Sequence, residues 1–210
     1  LKAQFDVHFG HYWALQSYFN PASIGTSGRL NITGTYSSQL SGFTRGAETM
    51  YFSGDMPLPV ANQSHNVGVA LFNETIGLFS NQRLFMQYAF RAKKLWGGRL
   101  SGGVQIGLLS EKFDGSELEF GDAEGSATND PAFPSSEAEG SGLDIGAGLH
   151  YIHPLFYVGF SALHLNSPEI LLAETNEFQI SPSFYLSGGC NIQLKNPLLS
   201  IQPSFLLQSD

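Results

Sequence analysis

QRLFMQYAFRAKKLWGGRLSGGVQIGLL, Gln82 to Leu109, is the stretch whose reading decides the fold. Leu84, Met86, Tyr88, Phe90 and Ala92 fall on one side of a two-residue alternation, and Arg83, Gln87, Arg91 and Lys93 on the other. Only a strand sorts side chains this way. After Leu95-Trp96-Gly97-Gly98 the pattern resumes, with Leu100, Val104, Ile106 and Leu108 opposite Arg99, Ser101, Gly103, Gln105 and Gly107. The stretch therefore predicts a hairpin with one apolar face. What that face meets, a protein core or lipid, sets the class of the whole chain.

Composition favours lipid. Charged residues make up 13% of the 210, against about 25% in an ordinary soluble domain. Mean hydropathy is −0.06, and no apolar run approaches the roughly 18 residues of a membrane helix. A transmembrane barrel passes both tests, because its alternating strands average to neutral hydropathy. The net charge of −8 excludes nucleic acid as a natural partner. The single cysteine, Cys190, excludes an internal disulfide and reads as a small buried or lipid-facing residue. Leu1-Lys2-Ala3-Gln4 reads as the stub of an export-signal cleavage site.

Working outward, the alternation recurs in nine segments: Arg29–Ser38, Ala47–Met56, His65–Asn73, Arg83–Lys93, Arg99–Leu109, Gly142–Ile152, Leu155–Leu165, Phe184–Leu194 and Leu198–Gln208. Most match the ~9–11 residues that a tilted strand needs to cross a bilayer. Short connections such as His153-Pro154 and Lys195-Asn196-Pro197 alternate with longer ones, Glu74–Gln82, Asn166–Ser183 and above all Ser110–Ser141. Short periplasmic turns and long external loops give outer-membrane barrels this asymmetry, and it predicts a periplasmic amino terminus. An odd strand number cannot close a bacterial barrel, so further closing strands are expected beyond Asp210. Phe5–Gly25, aromatic and ending in Asn20-Pro21-Ala22, follows neither period and reads as an irregular, partly helical lead-in. The domain reading is residues 1–28 as an amino-terminal segment and 29–210 as barrel.

The polar faces place Arg91, Arg99, Gln105 and Asp144 toward a lumen, and Trp96, Tyr151, Tyr51 and Tyr157 suit an interfacial aromatic belt. Chemistry is sparse. His8 and His11 have metal-ligand spacing without a third ligand nearby, and no Ser–His–acid set can be assigned, so neither a catalytic site nor a cofactor is expected. Gly146-Ala147-Gly148 lies inside a strand and opens no helix, so it is no dinucleotide fingerprint. The acidic Ser110–Ser141 loop lacks calcium-loop spacing and reads as a solvated external loop, with Phe120 and Asp130-Pro131-Ala132-Phe133-Pro134 folding part of it back.

Several motifs carry a resemblance. Gln4-Phe5-Asp6, Phe9-Gly10-His11-Tyr12, Asn20-Pro21-Ala22-Ser23-Ile24-Gly25, Ser64-His65-Asn66-Val67-Gly68-Val69, Gln87-Tyr88-Ala89-Phe90-Arg91, Gly102-Gly103-Val104-Gln105-Ile106-Gly107 and Asp130-Pro131-Ala132-Phe133 occur in an order similar to that of the PorP/SprF proteins. These are outer-membrane components of the type IX secretion and gliding machinery of Bacteroidetes. Ser37–Phe43 departs from the family, which usually carries a tryptophan there. The resemblance implies an antiparallel barrel of the fatty-acid-transporter type, about fourteen strands when complete, with a plug in which Asn20, Pro21, Ala22 and Gly25 are structural. It further implies a non-enzymatic role in anchoring or exporting a surface adhesin. Implied partners are the adhesin's carboxy-terminal domain, a periplasmic peptidoglycan-binding lipoprotein, other type IX components and outer-membrane lipid. Glu117, Glu119, Phe120, Asp130, Pro131 and Phe133 form the candidate external partner-binding loop. Two other readings stand beside this one: a channel for small hydrophobic molecules, and a soluble β-sandwich that binds carbohydrate.

Overall fold

A computed structural model describes residues 6–7, 9–39, 46–58, 64–115, 137–172, 176–194 and 199–209. The chain enters through two single-turn 3-10 helices, Tyr12–Ala14 and Pro21–Ser23, flanking the one-turn helix α1 (Gln16–Phe19). There follow β1 (Asn31–Gln39), β2 (Ala47–Leu58), β3 (His65–Ile76), β4 (Phe79–Leu95), β5 (Gly98–Asp114), β6 (Glu137–Ile152), β7 (Phe156–Leu163), β8 (Glu169–Leu172), β9 (Asn176–Gln179), β10 (Ser183–Cys190), β11 (Ile192–Gln193), β12 (Ser200–Ile201) and β13 (Ser204–Ser209). Nine of these strands form one antiparallel sheet in the order β1-β2-β3-β4-β5-β6-β7-β10-β13, curled into a half-barrel. β8–β9 and β11–β12 are small separate ladders. No helix among the described residues is long and apolar enough to cross a membrane.

The two sides of this sheet are inverted relative to a soluble protein. Met86 and Ile106, a cross-strand pair, are 62% and 48% exposed, whereas their neighbours Gln87 and Gln105 are 5% and 3% exposed. Phe52, Leu71, Leu149, Phe160, Phe184 and Leu207 continue the exposed apolar side across the sheet. Among the described residues no second sheet packs on that side. On β5 the apolar run Leu100–Leu108 spans nine residues, roughly 30 Å along the strand and, once tilted, about the 25 Å of an outer-membrane apolar band. Beyond it the outer positions turn polar, and the Ser110 hydroxyl donates to Glu139 Oε1 at 2.9 Å.

β4 and β5 each run for 17 residues, well past Arg83 and Leu109, where the alternation was expected to stop. The change of outer-face polarity marks the edge of the apolar band rather than the end of the strand. The expected loop Glu74–Gln82 is accordingly absent as a loop. Ile76 pairs with Phe79, and the turn is Gly77-Leu78, with Gly77 at φ 61°. Asp114, Glu137 and Glu139 lie in paired strands rather than in a solvated loop. Asn166–Ser183 contains the β8–β9 ladder, and its buried Ile170 and Ile180 join the core. The β10–β13 hairpin is interrupted at Asn191 and Gln202-Pro203 and continues in the same register through β11–β12, Ile192 opposite Ile201 and Gln193 opposite Ser200. Pro203 lacks the amide that would extend the sheet ladder, and its carbonyl accepts from Cys190 N at 3.0 Å. Lys195-Asn196-Pro197 lies outside the described residues.

The core lies between the inner face and the amino-terminal segment. Leu15, Tyr18 and Phe19 pack with Tyr51, Phe72, Phe85, Leu109, Leu163 and Tyr185. Tyr51 is therefore no belt residue: it is 1% exposed, and its hydroxyl lies 3.1 Å from Ser17 Oγ. Tyr157 shares the inner side, its ring 5.8 Å from that of His150.

Candidate functional site

The inner face receives the segment through one residue above all. Pro21 opens a 3-10 turn, and Asn20 before it is extended (φ −143°, ψ 110°), as a residue preceding proline prefers. Asn20 Oδ1 caps that turn by accepting from Ala22 N at 2.9 Å, while Nδ2 donates to the carbonyl oxygens of Leu149 at 3.0 Å and Phe160 at 3.4 Å. One side chain thus closes its own turn and binds it to β6 and β7. The strands make room with glycine: a Cβ on Gly103 would stand 2.5 Å from Ala22 N. The segment leaves through Gly25, held at φ 66° against Asn66. Its amide donates to Asp55 Oδ1 at 2.6 Å. Gln87 Nε2 donates to Ser17 O at 2.7 Å and Ser161 Oγ to Phe19 O at 2.5 Å.

A buried charge network forms a second attachment. Asp6 Oδ1 accepts from Arg83 Nη1 at 2.7 Å, and its Oδ2 accepts from the Tyr185 hydroxyl at 2.6 Å. His164 lies with Nε2 3.2 Å from Asp6 Oδ1 and Nδ1 2.9 Å from Asp144 Oδ1. Two carboxylates facing both ring nitrogens make His164 a doubly donating imidazolium. It holds the left-handed φ of 55°, a strain of about 1–2 kcal/mol that two charge-assisted contacts offset. Arg83 also donates through Nε to Asn81 Oδ1 at 3.0 Å and lies 4.8 Å over the Phe72 ring. Burial alone would raise the Asp6 carboxyl's pKa. The His164 hydrogen bond, the Arg83 and His164 charges and the Tyr185 hydroxyl outweigh it and hold that carboxyl well below the usual carboxylate range. Residues far apart in sequence, from the segment, β4, β6, the β7–β8 connection and β10, therefore meet at one point.

Of the residues singled out in the sequence, Arg91, Gln105 and Asp144 lie on the covered inner side, Asp144 fully buried. Arg99 has the same facing but is exposed at the strand end. Trp96, at a two-residue turn with φ 45°, is 88% exposed, and the Tyr151 hydroxyl donates to the Leu95 and Trp96 carbonyls. Asn20, Pro21, Ala22 and Gly25 come together against the sheet. Glu117, Glu119, Phe120, Asp130, Pro131 and Phe133 lie outside the described residues, as does His8, whereas His11 stands beside the Trp13 ring at 5.1 Å. Sequence reasoning missed Asp6, Arg83, His164 and Tyr185 as a set. The available signal was the inward parity of Arg83 and Asp144, since inward charges require counter-charges.

The family model for the type IX secretion system membrane protein PorP/SprF matches residues 1–210. No curated protein and no solved structure matches the chain.

Proposed function

Because the chain belongs to the PorP/SprF family of type IX secretion system membrane proteins, we propose that it is the non-enzymatic outer-membrane wall to which a secreted surface adhesin is anchored or through which its export is assisted. The observation that carries this reading is the inversion of the half-barrel, apolar outside and charged inside, with an amino-terminal segment latched across its interior. In this reading residues 1–28 are a plug and 29–210 belong to a barrel of the fatty-acid-transporter type. Asn20-Pro21-Ala22 seats the plug, and Arg91, Gln105 and Asp144 line the lumen.

The Trp96-Gly97 and His153–Leu155 connections face the periplasm, where a peptidoglycan-binding lipoprotein and other secretion components dock. The connection carried by Asp114 and Glu137 faces outward, and Glu117, Glu119, Phe120, Asp130, Pro131 and Phe133 meet the adhesin's carboxy-terminal domain there. The paired ends of β5 and β6 support this, since strands that outrun the apolar band lift their connection clear of the membrane. A channel for small hydrophobic molecules calls for a continuous apolar route, and the buried charges of Asp6, Arg83, Asp144 and His164 disfavour one. Replacing residues 116–136 by a short Gly-Ser linker should release the adhesin from intact cells while the barrel still inserts. Unchanged adhesin retention would defeat the loop's assignment.

A further inference from the structure

At the Trp96 end of the half-barrel the β4 ladder is irregular. Arg91 pairs with Ser101, but Lys94 pairs with Arg99, so Ala92 and Lys93 together oppose Leu100 in a bulge. Regular alternation would give Arg91 and Lys93 one facing and send Lys94 to the other side. The bulge instead brings Lys94 round to oppose Arg99 directly, a like-charge cross-strand pair that by itself destabilises a sheet. Lys94, Arg99, Arg91, Thr26 and His153 line one open depression of about 400 Å³. Among the described residues Arg91, Lys94 and Arg99 form no ion pair, the buried pairs being those of Arg83 and His164. The concentration is selective, because four of the chain's ten Lys and Arg fall between Arg91 and Arg99 although the net charge is −8.

We infer that this depression binds the phosphate of an anionic membrane lipid. A phosphate diester is an anion at every relevant pH, and Lys94 and Arg99, both exposed at the mouth, supply the opposing charge, while Arg91 lies buried behind them with its guanidinium donating to Ser101 Oγ and the Ile24 carbonyl. The level is also right for a headgroup. Exposed Trp96 and the Tyr151 hydroxyl bonded to its carbonyl mark the end of the apolar band, where Trp and Tyr lie among lipid headgroups. Leu95, next to Lys94 in sequence, is an exposed apolar residue opposite Gly98. A lipid with its chains along Leu95 and Leu100 therefore brings its phosphate over the two-residue turn. The inference goes beyond the anchoring role and does not depend on which side of the membrane the turn faces.

The test uses the full chain in nanodiscs of mixed phosphatidylglycerol and phosphatidylcholine, with the retained lipid counted by native mass spectrometry after gentle extraction. The wild type should retain phosphatidylglycerol preferentially. In the Lys94→Gln/Arg99→Gln double variant that preference should fall roughly thirtyfold, about fivefold for each cation lost, with the heat-modifiable gel shift intact. If the double variant does not fold, Arg99→Gln alone should lower the preference about fivefold. Equal retention of the two lipids by the wild type, or a preference unchanged in either folded variant, overturns the inference. Displacement of phosphatidylglycerol by millimolar inorganic phosphate would also overturn it, as the mark of a site for free anions.

Discussion

Along the β4–β5 hairpin, Met86 opposes Ile106 and Tyr88 opposes Val104 on one side, while Gln87 opposes Gln105 and Ala89 opposes Gly103 on the other. The outer pairs are about half exposed. The inner positions are sealed beneath the segment, where Gln87 and Gln105 bond each other at 3.2 Å and Gly103 admits Ala22. One backbone thus carries two sets of rules. Outside, shape is free and charge is forbidden. Inside, charge is allowed where it is paired, and an added methyl group finds no space.

The sharpest way to break the inner half of this contrast is Asp6→Ala. Removing one partner from a buried ion pair takes from Arg83 and His164 the carboxylate they share, His164 keeping only Asp144, and should cost about 3–5 kcal/mol, read as a lower urea midpoint in detergent micelles. A change of less than about 1 kcal/mol would mean that the latch is solvated. On the outer half, Met86→Arg should cost about 2–4 kcal/mol at the membrane midplane and lower the yield of the heat-modifiable form. A soluble surface would accept it freely. Next in size is Gly103→Val, which overpacks against Ala22 by about 1–3 kcal/mol. Trypsin should then cleave the segment at Arg29 faster than in the wild type. Val104→Ile, one position along, should leave both stability and cleavage unchanged.

Acid gives a smaller and graded effect. The folded Asp6 carboxyl titrates below its unfolded value, so its contribution is complete above about pH 4 and fades as pH falls below that. The urea midpoint should drop between about pH 4 and pH 2, and Asp6→Ala should lose most of that dependence.

The alternation made the nine sheet strands and their facing legible, because period-two sorting is written into the sequence wherever one side meets lipid. Strand ends were not legible. Gln82 and Ser110 look like loop residues because their outer positions turn polar, yet the ladder continues through Asn81–Glu111 and Ser80–Lys112. The bulge after Arg91 was hidden as well, since Ala92 suits either side and Lys93-Lys94 offers a cation to both registers. The Tyr51 belt assignment failed because an inward aromatic and an interfacial one have the same residue type, and only Ser17 and Tyr18 opposite it tell them apart. The latch joins Asp6 to Tyr185, 179 positions away, a convergence that exists only in the fold. Asn20-Pro21-Ala22 was recognisable as a motif, but its purpose depends on carbonyls of β6 and β7 that no spacing rule locates.

The central claim is that the face of Leu84, Met86, Val104 and Ile106 contacts lipid while that of Arg83, Gln87 and Gln105 is sealed beneath the segment. With Cys190 changed to serine, single cysteines at positions 86, 87, 104 and 105 can each carry a small fluorophore in liposomes containing brominated lipid. Strong quenching at 86 and 104 with little at 87 and 105 is the predicted pattern. Weak lipid quenching at 86 and 104, together with ready quenching there by aqueous iodide, would contradict it.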